Sequence, residues 1–456
     1  MPDRFAPQQQ LVVAIAVLGS FVSFLDGTLV NVALPAIDRD LGGGLATQQW
    51  AVDAYLVTLG ALILLAGSVS DAFGRLLVLR IGLIGFGVAS IAVALAPTAV
   101  FLIVARAVQG AAGAFLVPSS LALITSTIRG PSQARAIGIW TALTTSAMVA
   151  GPLIGGLFVD HLSWRFAFLA GIVPIAATLL LLPRLDAPDH REPGATVDWW
   201  GGALCTFGLG LIVFALIEEP DAGWSSALVW APLVAGCALF TGFLWRQRHA
   251  ASPVLPLGLF RIRTFAAGNL ATLFVYGALS LSGFVLAIYL QQGAGLSATL
   301  AGLASLPTTI VMIALSSRFG ALSGRLGPRL FMTVGPLVMA GGTLLLLTIE
   351  TAFDYWWQVL PGMLVSGLGL SITVAPLTSA ILGSVDSARS GIASAVNNAV
   401  ARVAGLLAIA AVAAVIGGTL DLGGLRSSVL LCAALLVLGG IASLVGIRNP
   451  PPGDPS

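Results

Sequence analysis

Three ionisable residues stand inside runs that are otherwise apolar. Asp26 is the one ionisable residue between Leu11 and Pro35, in the stretch FLDGTLVNVALP. Asp53 follows Trp50 by three residues in a second run, and Arg106 lies seven residues into a run that begins at Ala99. A charge surrounded by lipid costs several kcal/mol, so such residues face a bundle interior, pair with one another and mark ion pathways. Burial favours the neutral form of a carboxyl, and a neighbouring Arg favours the charged form. An acid that met the two sides of a membrane in turn could therefore load and release a proton. Two acids and one base point to proton transfer. A static salt bridge between Asp26 and Arg106 is the competing reading.

The elements that must position these groups are membrane helices. The chain has 456 residues, 57% hydrophobic and 9% charged, with mean hydropathy +1.00. A soluble chain carries about a quarter charged residues. Apolar runs delimit fourteen spans with cores at 11–35, 49–69, 78–96, 99–125, 135–159, 165–183, 199–217, 227–245, 264–290, 298–317, 330–349, 356–382, 391–416 and 427–447. Each is long enough to cross a bilayer as a helix of about 20 residues. The first run is too long for a signal-peptide core and is expected to remain as a helix. The tail 448–456, RNPPPGDPS, is expected to be disordered.

All 21 basic residues are Arg. With the N-terminus inside, sixteen of them fall on the inner side and three, Arg39, Arg165 and Arg426, on the outer side, while Arg106 and Arg402 lie within spans. The positive-inside bias then puts both termini in the cytoplasm of a multi-pass protein of the cell membrane. In this topology Asp26 lies about 14 Å and Arg106 about 10 Å from the outer end of its span. Asp53 is near the outer end of span two. All three thus share the outer half of one bundle.

An internal repeat organises the chain. GSVSDAFGRLLVLRIG, Gly67 to Gly82, aligns with GALSGRLGPRLFMTVG, Gly320 to Gly335, at an offset of 253. The same offset carries Leu11 to Thr264, where the ninth span begins. Two related six-helix bundles, 11–183 and 264–447, are therefore expected, joined by a linker at 184–263 with two extra spans. Such repeats are a transporter architecture. In the first copy, Gly67, Asp71, Gly74 and Arg75 form a cytoplasmic loop whose glycines allow a tight turn and whose charges can pair or cap helix ends across the interface between the halves. Gly324 replaces the acid in the second copy. Gly151, Pro152, Gly155 and Gly156 in span five suit close helix approach and kinking, and are expected to form a flexible gate or a tight interface between the halves.

These motifs also carry a resemblance. The Gly67 loop is similar to the signature loop of the major facilitator superfamily. LDGTLVNVALP resembles the first-helix signature of its 14-helix drug:proton antiporter family. RAVQGAAGAFLVP, from Arg106, and AGPLIGG, from Ala150, resemble that family's motifs in spans four and five. YLQQGAGLSATLAGLASLP and SGIASAVNNAVARVAG also read like members. The resemblance covers nearly the whole chain. It implies an all-α integral membrane fold of 14 transmembrane helices, two pseudo-symmetric six-helix bundles and two inserted helices. It further implies a proton-coupled antiporter exporting amphipathic or cationic drugs by alternating access, with the proton gradient as energy source. Export of an endogenous metabolite or lipid, or uptake, is the alternative on the same fold. A transport-inactive receptor or scaffold would need a large soluble segment, and the longest loops, 184–198 and 246–263, are short.

The second half lacks the acids. Shifted by 253, Asp26, Asp53 and Arg106 become Leu279, Leu306 and Val359. Candidates for the substrate path are Asn31 and Gln109 in the first half and Asn269, Tyr276, Gln291, Asn397, Asn398 and Arg402 in the second. Arg402 has three open destinations: an anionic substrate group, a partner across the bundles, or an interface reached by snorkelling. Proton coupling is expected to concentrate in the first half.

No enzyme, metal or cofactor is expected. Cys205, Cys237 and Cys432 have no ligand or redox spacing and are expected to be small buried hydrophobes. His161, His190 and His249 stand singly. The absence of Lys excludes a phosphate-binding GxxxxGK[ST] loop. Trp199-Trp200 and Trp356-Trp357 are expected in the interfacial belt, and Glu218, Glu219, Asp221, Glu350 and Asp354 in outer loops. The partners are a small molecule, protons and the bilayer, with no nucleic acid, and the chain is expected to act as a monomer.

Overall fold

The computed structural model describes residues 5–186, 189, 191, 194–250, 252–386, 389–416 and 420–449. His190 and tail residues 450–456 lie outside the described residues. Fourteen helices among these residues are long and apolar enough to cross a membrane. They are α1 Pro7–Leu41, α2 Gly44–Phe73, α3 Arg75–Ala94, α4 Ala99–Thr127, α5 Arg135–His161, α6 Trp164–Arg184, α7 Trp199–Ala222, α8 Ala227–His249, α9 Arg263–Gln292, α10 Ala298–Leu326, α11 Pro328–Thr348, α12 Tyr355–Gly383, α13 Ser390–Ile416 and α14 Leu422–Gly446. The fold class is all-α, and each helix matches one apolar run.

Local chemistry sets their ends. Thr98, Ser163, Ser297 and Asp421 are N-caps whose side chains accept the amides of Phe101, Arg165, Leu300 and Gly424, satisfying donors that have no partner within the helix. Several helices are interrupted where their apolar runs are continuous, α12 at Val359 and α13 at Ala411 among them. α4 breaks at Ala114–Phe115 and α6 at Ala170–Gly171. Pro118 and Pro174 each follow the break by four residues and supply no N–H to the carbonyls of Ala114 and Ala170. α1, conversely, runs past Pro35 to Leu41, and the guanidinium of Arg39 donates to the Pro35 carbonyl at 3.3 Å.

The chain divides into two compact units, Met1–Gly210 with Ala238–Val254, and Leu211–Cys237 with Leu255–Ser456. The inserted helices α7 and α8 each change units along their length in this division. Within the first unit α1 packs on α5 and α6, α2 on α4, and α3 on α4 and α6. Within the second, α9 packs on α13 and α14, α10 on α12, and α11 on α12 and α14. These are the pairings that the 253-residue offset carries over. The offset also relates the two tight turns, Gly74 at φ 102° and Gly327 at φ 84°, left-handed conformations that favour glycine. Each following helix is capped by a residue from beyond the sixth helix of its own half. Asp189 accepts the amides of Leu76 and Leu77 at 2.9 and 3.3 Å. Asn449 accepts that of Arg329 at 3.1 Å and donates to the Leu326 carbonyl at 3.4 Å.

Asp198 ties α7 to α8. It accepts from the Gly201 amide at 2.9 Å, from Arg246 Nε at 2.6 Å and from Gln247 Nε2 at 2.8 Å. Burial pushes its carboxyl up, but these hydrogen bonds and the Arg246 charge outweigh it and hold the group below its ordinary value.

Four sequence expectations are corrected. Gly67 lies in the exposed interior of α2, nothing approaches within 4 Å of where its Cβ would be, and the turn is made by Gly74 alone. Glu218, Glu219 and Asp221 belong to the end of α7 and not to a loop, because the helix continues through Pro220. Asp354 is the N-cap of the short turn that opens α12, not a free loop acid. Cys237 is exposed on α8, whereas Cys205 and Cys432 are buried; α8 is the least enclosed of the fourteen helices, and its buried face carries Val229 and Phe243 instead.

Candidate functional site

The first unit gathers polar side chains from α1 to α4 into one enclosed network. Arg106 of α4 is fully buried and Asp26 of α1 is 6% exposed. Arg106 Nη1 donates to Asp26 Oδ2 at 2.7 Å and to Gln109 Oε1 at 2.6 Å, and its Nε donates to the Ala51 carbonyl of α2 at 2.7 Å. Gln109 Nε2 donates to Asp26 Oδ1 at 3.1 Å and to Ser90 Oγ of α3 at 2.9 Å. Gln109 thus lies three residues after Arg106, on the same face of α4, and bridges both members of the ion pair. The guanidinium also sits over the rings of Tyr55 at 4.5 Å and Phe168 at 5.4 Å, a favourable placement for a desolvated cation. The Tyr55 hydroxyl is hydrogen-bonded to Ser23 at 3.0 Å.

Arg106 Nη2 and the carboxyl of Asp53, both of whose oxygens are enclosed, have no hydrogen-bond partner among the described residues. Asp53 does not join the network. It lies two residues beyond Ala51 on α2, so it points to nearly the opposite side of that helix. On its own side, Val57 one turn later approaches Gly210 of α7.

α5 closes on α1 directly behind Asp26. A Cβ at Gly151 would strike Thr28 Oγ1 and lie 3.0 Å from the Leu25 carbonyl, and one at Gly155 would lie 2.8 Å from Val32 and 3.1 Å from the Leu29 carbonyl. Pro152 sits inside this helix, and Gly156 is buried. The glycines therefore serve a tight seam within the first unit. Asp71 and Arg75 pair with each other at 3.4 Å, both partly exposed, an arrangement worth little in stability. Asn31 is half-buried further along α1.

The second unit holds a smaller, uncharged network. Asn397 of α13 donates to Thr272 Oγ1 at 2.7 Å and Asn269 Oδ1 at 3.3 Å on α9. Asn269 donates in turn to the Phe265 carbonyl at 2.9 Å. Gln291 bonds its own helix at Ala287, and Asn398 bonds the Ser394 carbonyl. Arg402 and Tyr276 lie within electrostatic reach of each other, and neither makes a hydrogen bond or ion pair among the described residues.

Ser90, Tyr55, Ser23 and Thr272 were not singled out in the sequence. Nothing in their spacing marks them, since hydroxyls are common in membrane helices; only the azimuth of each helix brings them to the network.

The Major Facilitator Superfamily model matches residues 16–409. The chain belongs to this superfamily. The multidrug resistance protein Stp of Mycobacterium tuberculosis is 33% identical over 423 residues, covering 90% of this chain and 77% of that protein. The tetracenomycin C resistance and export protein of Streptomyces glaucescens is 32% identical over 408 residues, covering 87% and 74%. Among solved structures, a D-xylose-proton symporter superimposes with a TM-score of 0.70 at 14% identity, covering 96% and 98% of the two chains, and so shares the fold. This superfamily chain is a multi-pass membrane protein, and its curated relatives are multidrug and antibiotic resistance transporters.

Proposed function

We propose that the chain exports small amphipathic molecules across the cytoplasmic membrane in exchange for inward-moving protons, with Asp26 and Asp53 as the proton carriers. The enclosed Asp26–Arg106 ion pair carries this reading. A buried pair is a weak source of stability, because desolvation of the two charges offsets their attraction. A membrane-embedded acid with an adjustable partner is instead the usual means of moving a proton. In the arrangement described here Asp26 is charge-matched by Arg106 and Gln109. Protonation of Asp26 would release Arg106, whose Nη2 already lacks an acceptor, and loosen four helices at once. Asp53 is enclosed and has no hydrogen-bond partner among the described residues, and a buried charge left unpaired is costly. A carboxyl matched by a cation and a carboxyl left unmatched are the two environments between which a carrier must alternate.

The relatives' names, which include multidrug resistance and export, support outward movement of small molecules. The Arg distribution supports cytoplasmic termini. The chain acts as a monomer by alternating access, with the proton gradient as its energy source and no bound cofactor.

The deciding experiment uses purified protein in liposomes under an imposed pH gradient, with a panel of amphipathic dyes of differing charge. Dye accumulation should follow the gradient and collapse with an ionophore. Asp26→Asn should abolish gradient-driven accumulation while dye exchange without a gradient persists. Gradient-driven accumulation that survives in both Asp26→Asn and Asp53→Asn would refute the coupling.

A further inference from the structure

We propose that the second unit binds an anionic group of the transported molecule at Arg402, with Tyr276 as a second donor. The proposal rests on the export reading for what is carried, and it adds an acidic group to the amphipathic substrate class.

The first observation is depth. Arg402 lies twelve residues from Ser390 and fourteen from Ile416, about 18 and 21 Å along α13. Neither end is within reach of an arginine side chain, so snorkelling does not resolve its charge. A guanidinium at that level needs a partner. Among the described residues none bonds it, and helices α9 to α14 contain no acid. Arg106 at the corresponding task in the first unit has a carboxylate, an amide oxygen and a carbonyl within 2.7 Å.

The second observation is a polar stripe. Ser390, Ser394, Asn398 and Arg402 recur at every fourth residue and so share one face of α13. None is fully buried, and Asn398 is exposed. A stripe of this kind on a membrane helix faces a watered cavity or the bundle interior, not lipid. It leads from the helix start to Arg402 and ends there, since Leu406 follows. On the neighbouring helix α9, Gly277 approaches the Ala404 carbonyl, a Cβ there falling at 3.4 Å. That close seam sets Tyr276 at the level of Arg402. A guanidinium fork with a phenol at the same level would be a matched donor set for a carboxylate, with two parallel N–H bonds and one O–H bond. The Asn397–Thr272–Asn269 network, turned away from the stripe, uses its donors internally and holds the two helices in register.

The test measures binding to full-length protein in lipid nanodiscs, without a gradient. The probe is 11-(dansylamino)undecanoic acid, compared with its methyl ester, with protein-free nanodiscs subtracted. The wild type should bind the acid at least about tenfold more tightly than the ester. Arg402→Gln should weaken the acid about 30-fold, as for loss of one member of a desolvated charge pair, and leave the ester unchanged. Arg402→Lys, which keeps the charge but loses the fork, should weaken only the acid, and Tyr276→Phe should do so by a few fold. Equal binding of acid and ester by the wild type overturns the proposal. So does an Arg402→Gln protein that loses both probes alike or neither. If Arg402→Gln does not fold, the Lys and Phe variants decide by the same acid-to-ester ratio. Proton-driven dye transport is scored separately, so loss of acid preference leaves the export reading standing, and loss of proton coupling leaves the acid preference standing.

Discussion

The two halves share a scaffold and differ in charge. Helix pairings, tight glycine turns and third-helix caps recur at the 253-residue offset, yet the first half buries an ion-pair network and the second leaves its mid-span Arg402 without a hydrogen bond or ion pair among the described residues. The scaffold was duplicated as geometry, whereas each half's polar chemistry is its own. Asp26 has Leu279 as its counterpart, and Arg106 has Val359. A charge that is matched inside the protein can only be disturbed by a proton or by motion. A charge that is left unmatched can be satisfied from outside. The contrast thus separates the half suited to moving protons from the half suited to reading the cargo.

The sharpest way to break this comparison is to remove each arginine in turn. Arg106→Ala leaves Asp26 buried without its cation and should cost about 3–5 kcal/mol of stability, read as a large fall in unfolding midpoint in detergent. Arg402→Gln removes a charge with no described partner and should change stability by less than about 0.5 kcal/mol. Equal losses in the two variants would mean that Arg402 has a structural partner and that the contrast between the halves is wrong.

The seam glycines give a second, smaller contrast. Gly155 of α5 and Gly277 of α9 line the same pairing in the two halves, first helix against fifth. A Cβ at Gly155 meets Val32 at 2.8 Å, but one at Gly277 meets nothing closer than 3.4 Å. Gly155→Ala should therefore cost about 1–3 kcal/mol by overpacking. Gly277→Ala should be neutral or stabilise by up to about 1 kcal/mol, since Ala loses less backbone freedom in a helix. Thermal unfolding of both variants, paired with gradient-driven dye uptake, would show whether the tight seam behind Asp26 is also a functional one.

Much of this contrast is legible in the sequence. Hydropathy delimits the fourteen helices because each lipid-facing run must be apolar along its whole length, and the repeat shows because its turn needs glycine at one φ. The meeting of Asp26 and Arg106 followed from shared depth. Shared depth failed for Asp53, because depth says nothing of azimuth, and Asp53 points away from Ala51's side of α2. Gln109, a path candidate by its sequence, is enclosed and bridges the ion pair. The same blindness hid Ser90 and Tyr55. The breaks in α4 and α6 were invisible to hydropathy, since an unwound turn between apolar residues remains apolar. Asp189 and Asn449 escaped notice because each acts on a turn more than a hundred residues away.

Those two caps offer the finest test of how far the duplication extends. Asp189 and Asn449 bind the start of α3 and α11, respectively, next to the only non-helical residue between each pair of helices. Capping side chains of this kind contribute about 1 kcal/mol. Asp189→Ala and Asn449→Ala should each cost about that amount and should do so equally, because Asp189 takes two amides while Asn449 takes one amide and returns a bond to Leu326. Asp189→Asn should keep most of the stability, whereas a loss as large as that of Asp189→Ala would show that the charge on the helix dipole, and not the hydrogen bonds, holds the turn. Hydrogen exchange over 74–80 and 327–333 would read each cap separately. Protection lost at one turn but not at the other would show that the halves share the backbone geometry of this turn without sharing what stabilises it.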